Sequence, residues 1–357
     1  MSAPALGLPV RPPLAPMLAR LRREVPRDGF VYEPKWDGFR CLAFIAGGEV
    51  ELRSRGDRPL ARYFPELVAG LAALPSDRLV LDGEIVATGE PDFDALMLRL
   101  HPARSRVERL ARETPAAFVA FDLLGIGDDD LRQRPFAQRR ARLIEALAGA
   151  RPPVHLTPAT EDPELAARWV DEFAGNGIDG VVAKPRDAAY QSGVRAMVKV
   201  KRERTADCVV GGFRSFVDGP PVGSLLLGLY DAQDRLEHVG VATSFGAERQ
   251  RELAERLLPR IVPLAGHPWE HGFLLGGGAG GRLKGAAGRW SPQEMEPDWL
   301  PLAPALVCEV AYDQVDRGRF RHAARLRRWR PDREPRSCRL DQLEVDAPAP
   351  ADLLAAS

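Results

Sequence analysis

Short apolar or alternating runs divide the first two hundred residues into segments that end at turn-forming residues. These runs predict strands over Arg40–Ile45, Glu49–Ser54, Leu79–Ala87, Ala117–Asp122 and Gly180–Lys184. Apolar residues at helical spacing predict helices over Pro65–Ala73, Phe93–Leu100, Pro135–Leu147 and Asp162–Gly175. Residues 1–29 are rich in proline and are predicted to be irregular. Residues 30 to about 204 therefore predict a domain of mixed α and β structure.

The pattern changes after residue 204, where several short strands surround one helix. Strands are predicted at Cys208–Phe213, Ser224–Tyr230, Leu236–Val241 and Ala305–Val315, with a helix at Ala247–Leu258. This arrangement favours a small β-barrel such as an OB-fold. The predicted fold class is α+β, with domains at 1–204 and 205–345. The glycine-rich stretch 276–281 is predicted to be a loop, and the Ala/Pro-rich tail 346–357 is predicted to be disordered.

Composition excludes several classes of protein. Apolar residues make up 45% and charged residues 28% of the 357 residues, which is typical of a globular chain. No apolar run reaches the roughly 18 residues of a membrane helix, and no signal peptide is recognised at the N-terminus. Four widely spaced cysteines without a CxxC pair favour a reducing cytoplasm. The formal net charge of zero excludes a simple polycation, although Arg317–Arg339 contains ten arginines opposed only by Asp332 and Glu334.

Lysine is scarce in this chain, which has 45 arginines and only five lysines. Arginine serves as well as lysine for a surface charge, but only lysine can lose its proton and act as a nucleophile. Four of the lysines lie in short strings, Lys35-Trp36-Asp37-Gly38, Asp179–Lys184 and Lys199-Val200-Lys201, and the fifth is Lys284. We predict covalent lysine chemistry on a phosphate-bearing substrate. Desolvation and neighbouring cations are expected to lower the pKa of Lys35 and raise its neutral fraction.

Two further strings have both structural and functional interpretations. Asp82-Gly83-Glu84 places two carboxylates beside an apolar strand, where they would act as surface charges or contact magnesium or a ribose hydroxyl. Phe121 lies at the end of an apolar strand, where it would be a core residue or a flat surface for a purine base.

Taken in order, these strings resemble the motifs of the covalent nucleotidyltransferases, which comprise ATP-dependent DNA ligases, RNA ligases and mRNA-capping enzymes. The matching segments are Lys35–Arg40, Ser54–Arg58, Asp82–Glu84, Phe121-Asp122, Asp179–Lys184, Lys199–Lys201 and Arg330–Arg333. They span roughly residues 15 to 340. Two positions depart from the family pattern: Asp179 replaces glutamate, and Arg333 replaces lysine.

The resemblance implies a role for each motif residue. Lys35 would attack the α-phosphorus of ATP to form lysyl-AMP, while Lys199 and Lys201 neutralise the phosphate. Phe121 would stack on adenine, Glu33 would lie beside the purine edge, and Lys184 would lie near the phosphate. Arg40, Arg55 and Glu84 would hold ribose and phosphate, with Glu84 and Asp179 as candidate ligands of Mg²⁺ or Mn²⁺. Arg330, Asp332 and Arg333 would orient pyrophosphate from the second domain.

The resemblance is strongest to short bacterial ATP-dependent DNA ligases related to the end-joining ligases. It implies sealing of 5′-phosphate/3′-hydroxyl nicks in double-stranded DNA, in a repair role, by a monomer in the cytoplasm with no membrane association. Repair or end-joining proteins are possible partners. A hinge is expected near residues 202–207. An RNA ligase, a capping enzyme that uses GTP, and a nucleic-acid-binding protein without catalysis are the alternatives.

Overall fold

Among the residues that the structure describes, the first structural unit has two mainly antiparallel sheets and five α-helices. A computed structural model describes residues 7–88, 93–101, 103–173, 177–215, 222–272, 299–316 and 318–343, which divide into two compact units between Arg202 and Glu203. The strands of the first unit are β1 (Ala19–Arg22), β2 (Phe30–Trp36), β3 (Phe39–Ala46), β4 (Glu49–Ser54), β5 (Arg78–Ala87), β6 (Ala116–Ile126), β7 (Asp129–Asp130), β8 (Val154–Leu156), β9 (Ile178–Pro185) and β10 (Met197–Val200). Its helices are α1 (Pro65–Ala72), α2 (Phe93–Arg99), α3 (Arg104–Glu113), α4 (Phe136–Ala146) and α5 (Pro163–Glu172).

Pairing of these strands brings distant motifs into register. The larger sheet has the order β4-β3-β5-β6-β7, with β8 beside β6, and the smaller sheet has the order β1-β10-β9-β2. An apolar cluster that includes Leu42, Phe44, Val80 and Met197 contains residues of both sheets. Burial of this shared layer fixes the two sheets against each other.

The second unit is built on one five-stranded antiparallel sheet. Its elements are β11 (Arg204–Arg214), β12 (Ser224–Tyr230), β13 (Leu236–Ala242), α6 (Ala247–Leu257), β14 (Leu300–Tyr312), β15 (Val315–Asp316), β16 (Arg319–Phe320) and β17 (Arg325–Trp329). The order β13-β12-β11-β14-β17, with register shifts in β11, β12 and β14, gives the curled sheet of an OB-fold. The predicted fold class is confirmed.

Several predicted elements need correction. Residues 1–29 are not wholly irregular, because Ala19–Arg22 forms β1, an edge strand parallel to β10. The predicted strand Ala305–Val315 is two elements, since β14 ends at Tyr312 and Val315 begins β15. The helix expected to reach Gly175 ends at Glu172. Helix α3 and strand β10 were not predicted. The glycine-rich stretch 276–281 and the tail 346–357 lie outside the described residues.

No helix among the described residues is long and apolar enough to cross a membrane.

Candidate active site

Lys35 lies at an irregularity in β2, directly before the strand ends. The antiparallel pairing of β2 with β9 shifts register between Pro34 and Trp36. Such a bulge bends a strand and turns a side chain away from its regular direction. Gly38 follows, and a Cβ atom there would lie 1.9 Å from the carbonyl oxygen of Ile85 on β5. Only glycine therefore fits at position 38, where the backbone of the first motif passes close to the Ile85 carbonyl of β5.

The Lys35 side chain is bound to Asp179. Its Nζ donates to Asp179 Oδ2 at 2.8 Å, and Lys201 Nζ forms a second ion pair with the same oxygen. Asp179 belongs to β9, and its neighbour Gly180 has φ of +115°. A Cβ at Gly180 would lie 2.1 Å from the carbonyl oxygen of Val200 on β10. This close approach brings the β9 carboxylate to the two lysines.

The pKa of Lys35 is raised, which corrects the expectation that it would be lowered. Burial alone lowers this pKa, but the charge and hydrogen bond of Asp179 outweigh it. Asp179 itself has a lowered pKa: desolvation opposes ionisation, and Lys35 and Lys201 more than compensate. No sequence pattern predicts that Asp179 pairs with the nucleophile candidate Lys35. The contact with Asp179 therefore stabilises the protonated form of Lys35.

Lys199 is a partly buried cation beside two other lysines. Its pKa is lowered, first by desolvation and then by the charges of Lys201 and Lys35. It lies on β10 in register with Val182 of β9 and Leu21 of β1.

A pocket of about 420 Å³ opens beside these lysines, within the range of small-molecule sites. Eight of the predicted site residues line it: Glu33, Lys35, Arg40, Arg55, Glu84, Phe121, Lys184 and Lys199. Asp179 lies next to the pocket through its contact with Lys35, and Lys201 contacts Asp179 in turn.

Arg40 is held in the pocket by a buried network. Its Nε and Nη2 donate to the two oxygens of Asp82 at 2.6 and 2.7 Å. Asp82 also accepts from the hydroxyl of Tyr190 at 2.7 Å, and that hydroxyl accepts from the backbone N–H of Met17 at 3.0 Å. Bidentate pairing with a fully buried carboxylate fixes the guanidinium plane. Arg40 lies 4.4 Å from the ring centroid of Phe121.

Lys184 and Glu33 form a buried ion pair on the neighbouring strands β9 and β2. Lys184 Nζ lies 2.7 Å from Glu33 Oε2, donates to the carbonyl of Phe121 at 2.7 Å, and lies 4.6 Å from the centre of the Phe121 ring. Arg140 donates to the other oxygen of Glu33 at 2.9 Å. Desolvation is the main cause of the lowered pKa of Lys184. These contacts pair both charges within the protein.

Glu84 is a partly buried acid with a raised pKa of about 7. Desolvation is the largest cause, and the charges of Arg40 and Lys35 only partly oppose it. Glu84 faces Arg40 across the pairing of β3 with β5. A carboxyl that titrates near neutrality readily accepts a cation or donates a hydrogen bond.

Arg55 and Arg195 line the pocket as exposed cations. Arg55 projects from a turn in which Ser54 accepts from the backbone of Asp57 and Arg58. Neither guanidinium has a hydrogen-bond or ion-pair partner among the residues that the structure describes. Arg195 was missed by sequence reasoning, because it belongs to no motif and lies in the link before β10.

The candidate metal ligands do not form a preformed metal cage. Within the described part of the chain, no group of three His, Cys, Asp or Glu side chains could hold a metal ion. Glu84 and Asp179 still fit Mg²⁺, because this ion commonly binds through one or two carboxylates together with substrate phosphates and water.

The remaining predicted residues, Arg330, Asp332 and Arg333, belong to the second unit. Arg330 donates to both Asp207 and Asp332, and Arg333 Nε lies 3.2 Å from Asp207 Oδ2. The predicted basic stretch Arg317–Arg339 is also opposed by acids from elsewhere in the sequence, which corrects its description as almost unopposed. Those acids are Glu203, Asp207, Asp234 and Glu309.

The pocket is large enough for a nucleotide, is lined by cations and has a lysine at its edge. A second unit with an OB-type sheet follows it in the chain. These two features together define the class of covalent nucleotidyltransferases. Residues 12–201 match the ATP dependent DNA ligase domain, and residues 218–333 match the ATP dependent DNA ligase C terminal region. The chain belongs to the ATP-dependent DNA ligase family.

Its relatives cover nearly the whole chain. It is 50% identical to DNA ligase C2 of Mycolicibacterium smegmatis and 48% identical to DNA ligase C of Mycobacterium tuberculosis, each over 95% of this chain and 96% of the relative. It is 33% identical to the multifunctional non-homologous end joining protein LigD of Mycobacterium bovis, over 90% of this chain and 39% of that protein. A solved structure of a Lig E DNA ligase shares the fold, with a TM-score of 0.54 and 17% identity over 88% of this chain and 99% of that one.

Proposed function

We propose that this protein seals nicks in double-stranded DNA through a lysyl-AMP intermediate on Lys35. The observation that supports this proposal is the convergence of Lys35, Lys199, Arg55, Glu84 and Phe121 on one pocket. A nucleic-acid-binding protein without catalysis would need the cations but not a lysine nucleophile. The similarity of this chain to mycobacterial DNA ligases favours DNA over RNA as its substrate.

In the first step, Lys35 Nζ attacks the α-phosphorus of ATP. A P–N bond forms, the bond between the α-phosphorus and the bridging oxygen breaks, and pyrophosphate leaves. Because Nζ is protonated beside Asp179, its proton must leave before attack. Lys199 lies beside Lys35 and would neutralise the charge that develops on the α-phosphate oxygens.

The other pocket residues would bind and orient the nucleotide. Phe121 offers its ring to adenine, which requires the Arg40 guanidinium to shift if adenine binds on the face that Arg40 covers. Glu33 and Lys184 border this end of the pocket. Arg55 and Glu84 are placed for ribose and phosphate, and Lys201 for the phosphate. Arg330, Asp332 and Arg333 would act on the outgoing pyrophosphate.

Mg²⁺ would be held by Glu84 or Asp179 together with phosphate oxygens, and Mn²⁺ is an alternative. When bound, the ion would supply positive charge that offsets the triphosphate and lowers the pKa of Lys35.

In the second step, the AMP passes to a 5′-phosphate as the P–N bond breaks. In the third, the adjacent 3′-hydroxyl attacks that phosphate, the strand is joined and AMP is released. We place this activity in DNA repair in the bacterial cytoplasm and nucleoid, carried out by a monomer with domains near 1–204 and 205–345 and a hinge near 202–207. The similarity to LigD makes end-joining proteins candidate partners.

Labelled nucleotide tests the proposal. The protein is incubated with labelled ATP or GTP and Mg²⁺, and a covalent adduct that survives denaturing electrophoresis is sought. We expect an adduct with ATP that is lost in Lys35→Ala and retained in Arg186→Ala. An adduct only with GTP, or one that survives Lys35→Ala, contradicts the proposal. Nicks with DNA or RNA on the 3′-hydroxyl side then distinguish DNA from RNA sealing.

A further inference from the structure

Asp207 lies at the centre of the contacts made by the last motif in the second unit. Arg330 Nη1 donates to both of its carboxylate oxygens, at 3.0 and 2.9 Å, and Arg333 Nε lies 3.2 Å from Oδ2. Asp207 itself belongs to no motif. It is the fourth residue of β11, in register with Glu309 of β14. One largely buried carboxylate therefore contacts both arginines of the motif.

The backbone of Asp207 is fixed as well. Its N–H donates to Gln342 Oε1 at 3.1 Å, and its carbonyl accepts from Gln342 Nε2 at 3.3 Å. A side-chain amide that satisfies both backbone groups of one residue holds that residue rigidly. The carboxylate is thus a fixed point to which the arginines are attached.

The two arginines differ in how many of their guanidinium nitrogens remain available to bind a phosphate. Arg330 also donates through Nε and Nη2 to Asp332, at 3.0 and 2.8 Å, so two carboxylates occupy its guanidinium. Arg333 forms an ion pair with Asp207, with Nε 3.2 Å from Oδ2, and neither of its Nη nitrogens has a hydrogen-bond partner in the described part of the chain. The free edge of Arg333 can form a bidentate contact with a phosphate group.

From this geometry we infer that Asp207 is a positioning residue for lysine adenylylation: it anchors Arg330 and orients Arg333 so that the Nη edge of Arg333 binds the β- and γ-phosphates of ATP and the pyrophosphate that leaves. This inference rests on the proposed function. It assigns different tasks to the two arginines, with Arg330 as the tether and Arg333 as the ligand.

The test separates adenylylation from sealing. Asp207→Asn keeps the size of the side chain but removes its charge. We expect the rate of lysyl-AMP formation at subsaturating ATP to fall about tenfold, mainly through a higher KM for ATP, because a misplaced cation costs binding energy. Sealing of a nicked duplex without ATP, by enzyme already adenylylated, should stay within about twofold of wild type. That second readout also shows that the variant is folded.

Asp234→Asn is the matched control. Asp234 pairs with Arg339 at 2.6 Å in the same unit, and its φ of +59° is one that asparagine tolerates. This variant should adenylylate at the wild-type rate.

Two further measurements identify the route of the effect. Inorganic pyrophosphate added to adenylylated enzyme should regenerate ATP about tenfold more slowly in Asp207→Asn, because it reverses the same step. In an Arg333→Ala background, Asp207→Asn should cost less than a further twofold, because its effect passes through Arg333.

The inference is overturned if Asp207→Asn adenylylates as fast as wild type, if it adenylylates faster, or if adenylylation and sealing fall by the same factor. Full additivity with Arg333→Ala also overturns it. Absence of any adduct in the wild type would instead contradict the proposed function, so the two failures are distinguishable.

Discussion

At the scale of single residues, the contact between Lys35 and Asp179 has the largest consequence for chemistry. Attack requires neutral Lys35, and the Asp179 contact raises the pKa of that amine. The rate of adenylylation should therefore rise with pH toward the alkaline side. Asp179→Asn removes the charge that raises the pKa of Lys35, so the midpoint of the pH–rate profile should move to lower pH.

The measurement is the single-turnover rate of lysyl-AMP formation at saturating ATP and Mg²⁺ over a pH series. Asp128→Asn is the control, because this carboxylate is exposed and pairs with Arg78. A profile for Asp179→Asn with an unchanged midpoint would show that the contact does not control the nucleophile.

Glu84 predicts a dependence of stability on pH. Its pKa of about 7 lies above the ordinary value of 4.5, so the folded state binds an extra proton between these pH values. Stability from this group is therefore full below about pH 4.5 and is lost as pH rises through 7. Glu84→Gln cannot ionise. It should gain roughly 1–2 kcal/mol in unfolding free energy relative to wild type between pH 5 and pH 8.

Urea unfolding at the two pH values measures this difference. Glu145→Gln on α4 is the control, because Glu145 is exposed, and it should show no such change. An equal stability difference at both pH values for Glu84→Gln would mean that Glu84 is ionised throughout.

At the scale of elements, the approach of β9 to β10 depends on Gly180. A Cβ there would meet Val200 O at 2.1 Å, and φ is +115°. Gly180→Ala should separate the strands, cost about 1–3 kcal/mol of stability, and lower adenylylation at least tenfold by moving Lys199 and Lys201. Gly127→Ala is the control, because Gly127 also has a positive φ but a Cβ there would meet no atom within 4 Å.

Gly127→Ala should therefore lose about 1 kcal/mol and keep its adenylylation rate. Chemical unfolding and adduct formation are measured on both variants at a temperature where each is folded. Equal losses of adenylylation in the two variants would remove the special role of the contact between β9 and β10.

The sequence predicted the strands with clear apolar patterns but not those set by pairing. Strand β4 matches its prediction at both ends, Glu49–Ser54. Strand β1 has the alternating sequence Ala-Arg-Leu-Arg, but four residues are too few for this pattern to be recognised as a strand. Only its pairing with β10 defines it. Helix α3 was missed because only Val107 and Leu110 are buried in a charged segment.

The same division holds for the site. The motif resemblance identified seven of the eight charged residues that line the pocket, since residue types and spacing are properties of the sequence. Strand register and loop geometry determine the other features of the site: the pairing of Arg40 with Asp82, the anchoring of Arg330 by Asp207, and the position of Arg195. No local pattern in the chain encodes them.

At the scale of the whole molecule, several arginines of the basic stretch 317–339 pair with acids distant in sequence. Glu203 is the acid partner of both Arg325 and Arg327 on β17. Removing its charge in Glu203→Gln should free both guanidinium groups for DNA phosphates. We expect a Kd for nicked duplex about two- to fivefold lower at low salt, since exposed ion pairs are weak and screened.

Binding is measured without divalent metal, so that sealing does not occur, and is repeated at high salt, where the difference should vanish. Glu255→Gln on α6 makes the same change in net charge on an exposed helix and should have a smaller effect. An equal gain in both variants would indicate a general charge effect rather than release of two arginines.

The concentration of lysines at one pocket has a practical consequence for handling the protein. Of the five lysines, Lys35, Lys199 and Lys201 lie together, and Lys184 lines the same pocket. Reagents that acylate amines, such as N-hydroxysuccinimide esters for dyes or sensor surfaces, would react at this pocket with Lys199, which is partly exposed and whose pKa is lowered by desolvation and by Lys201 and Lys35. Amine coupling should therefore inactivate the enzyme, bound ATP should protect it, and tags or thiol-free chemistry at the termini are the better choice for immobilisation.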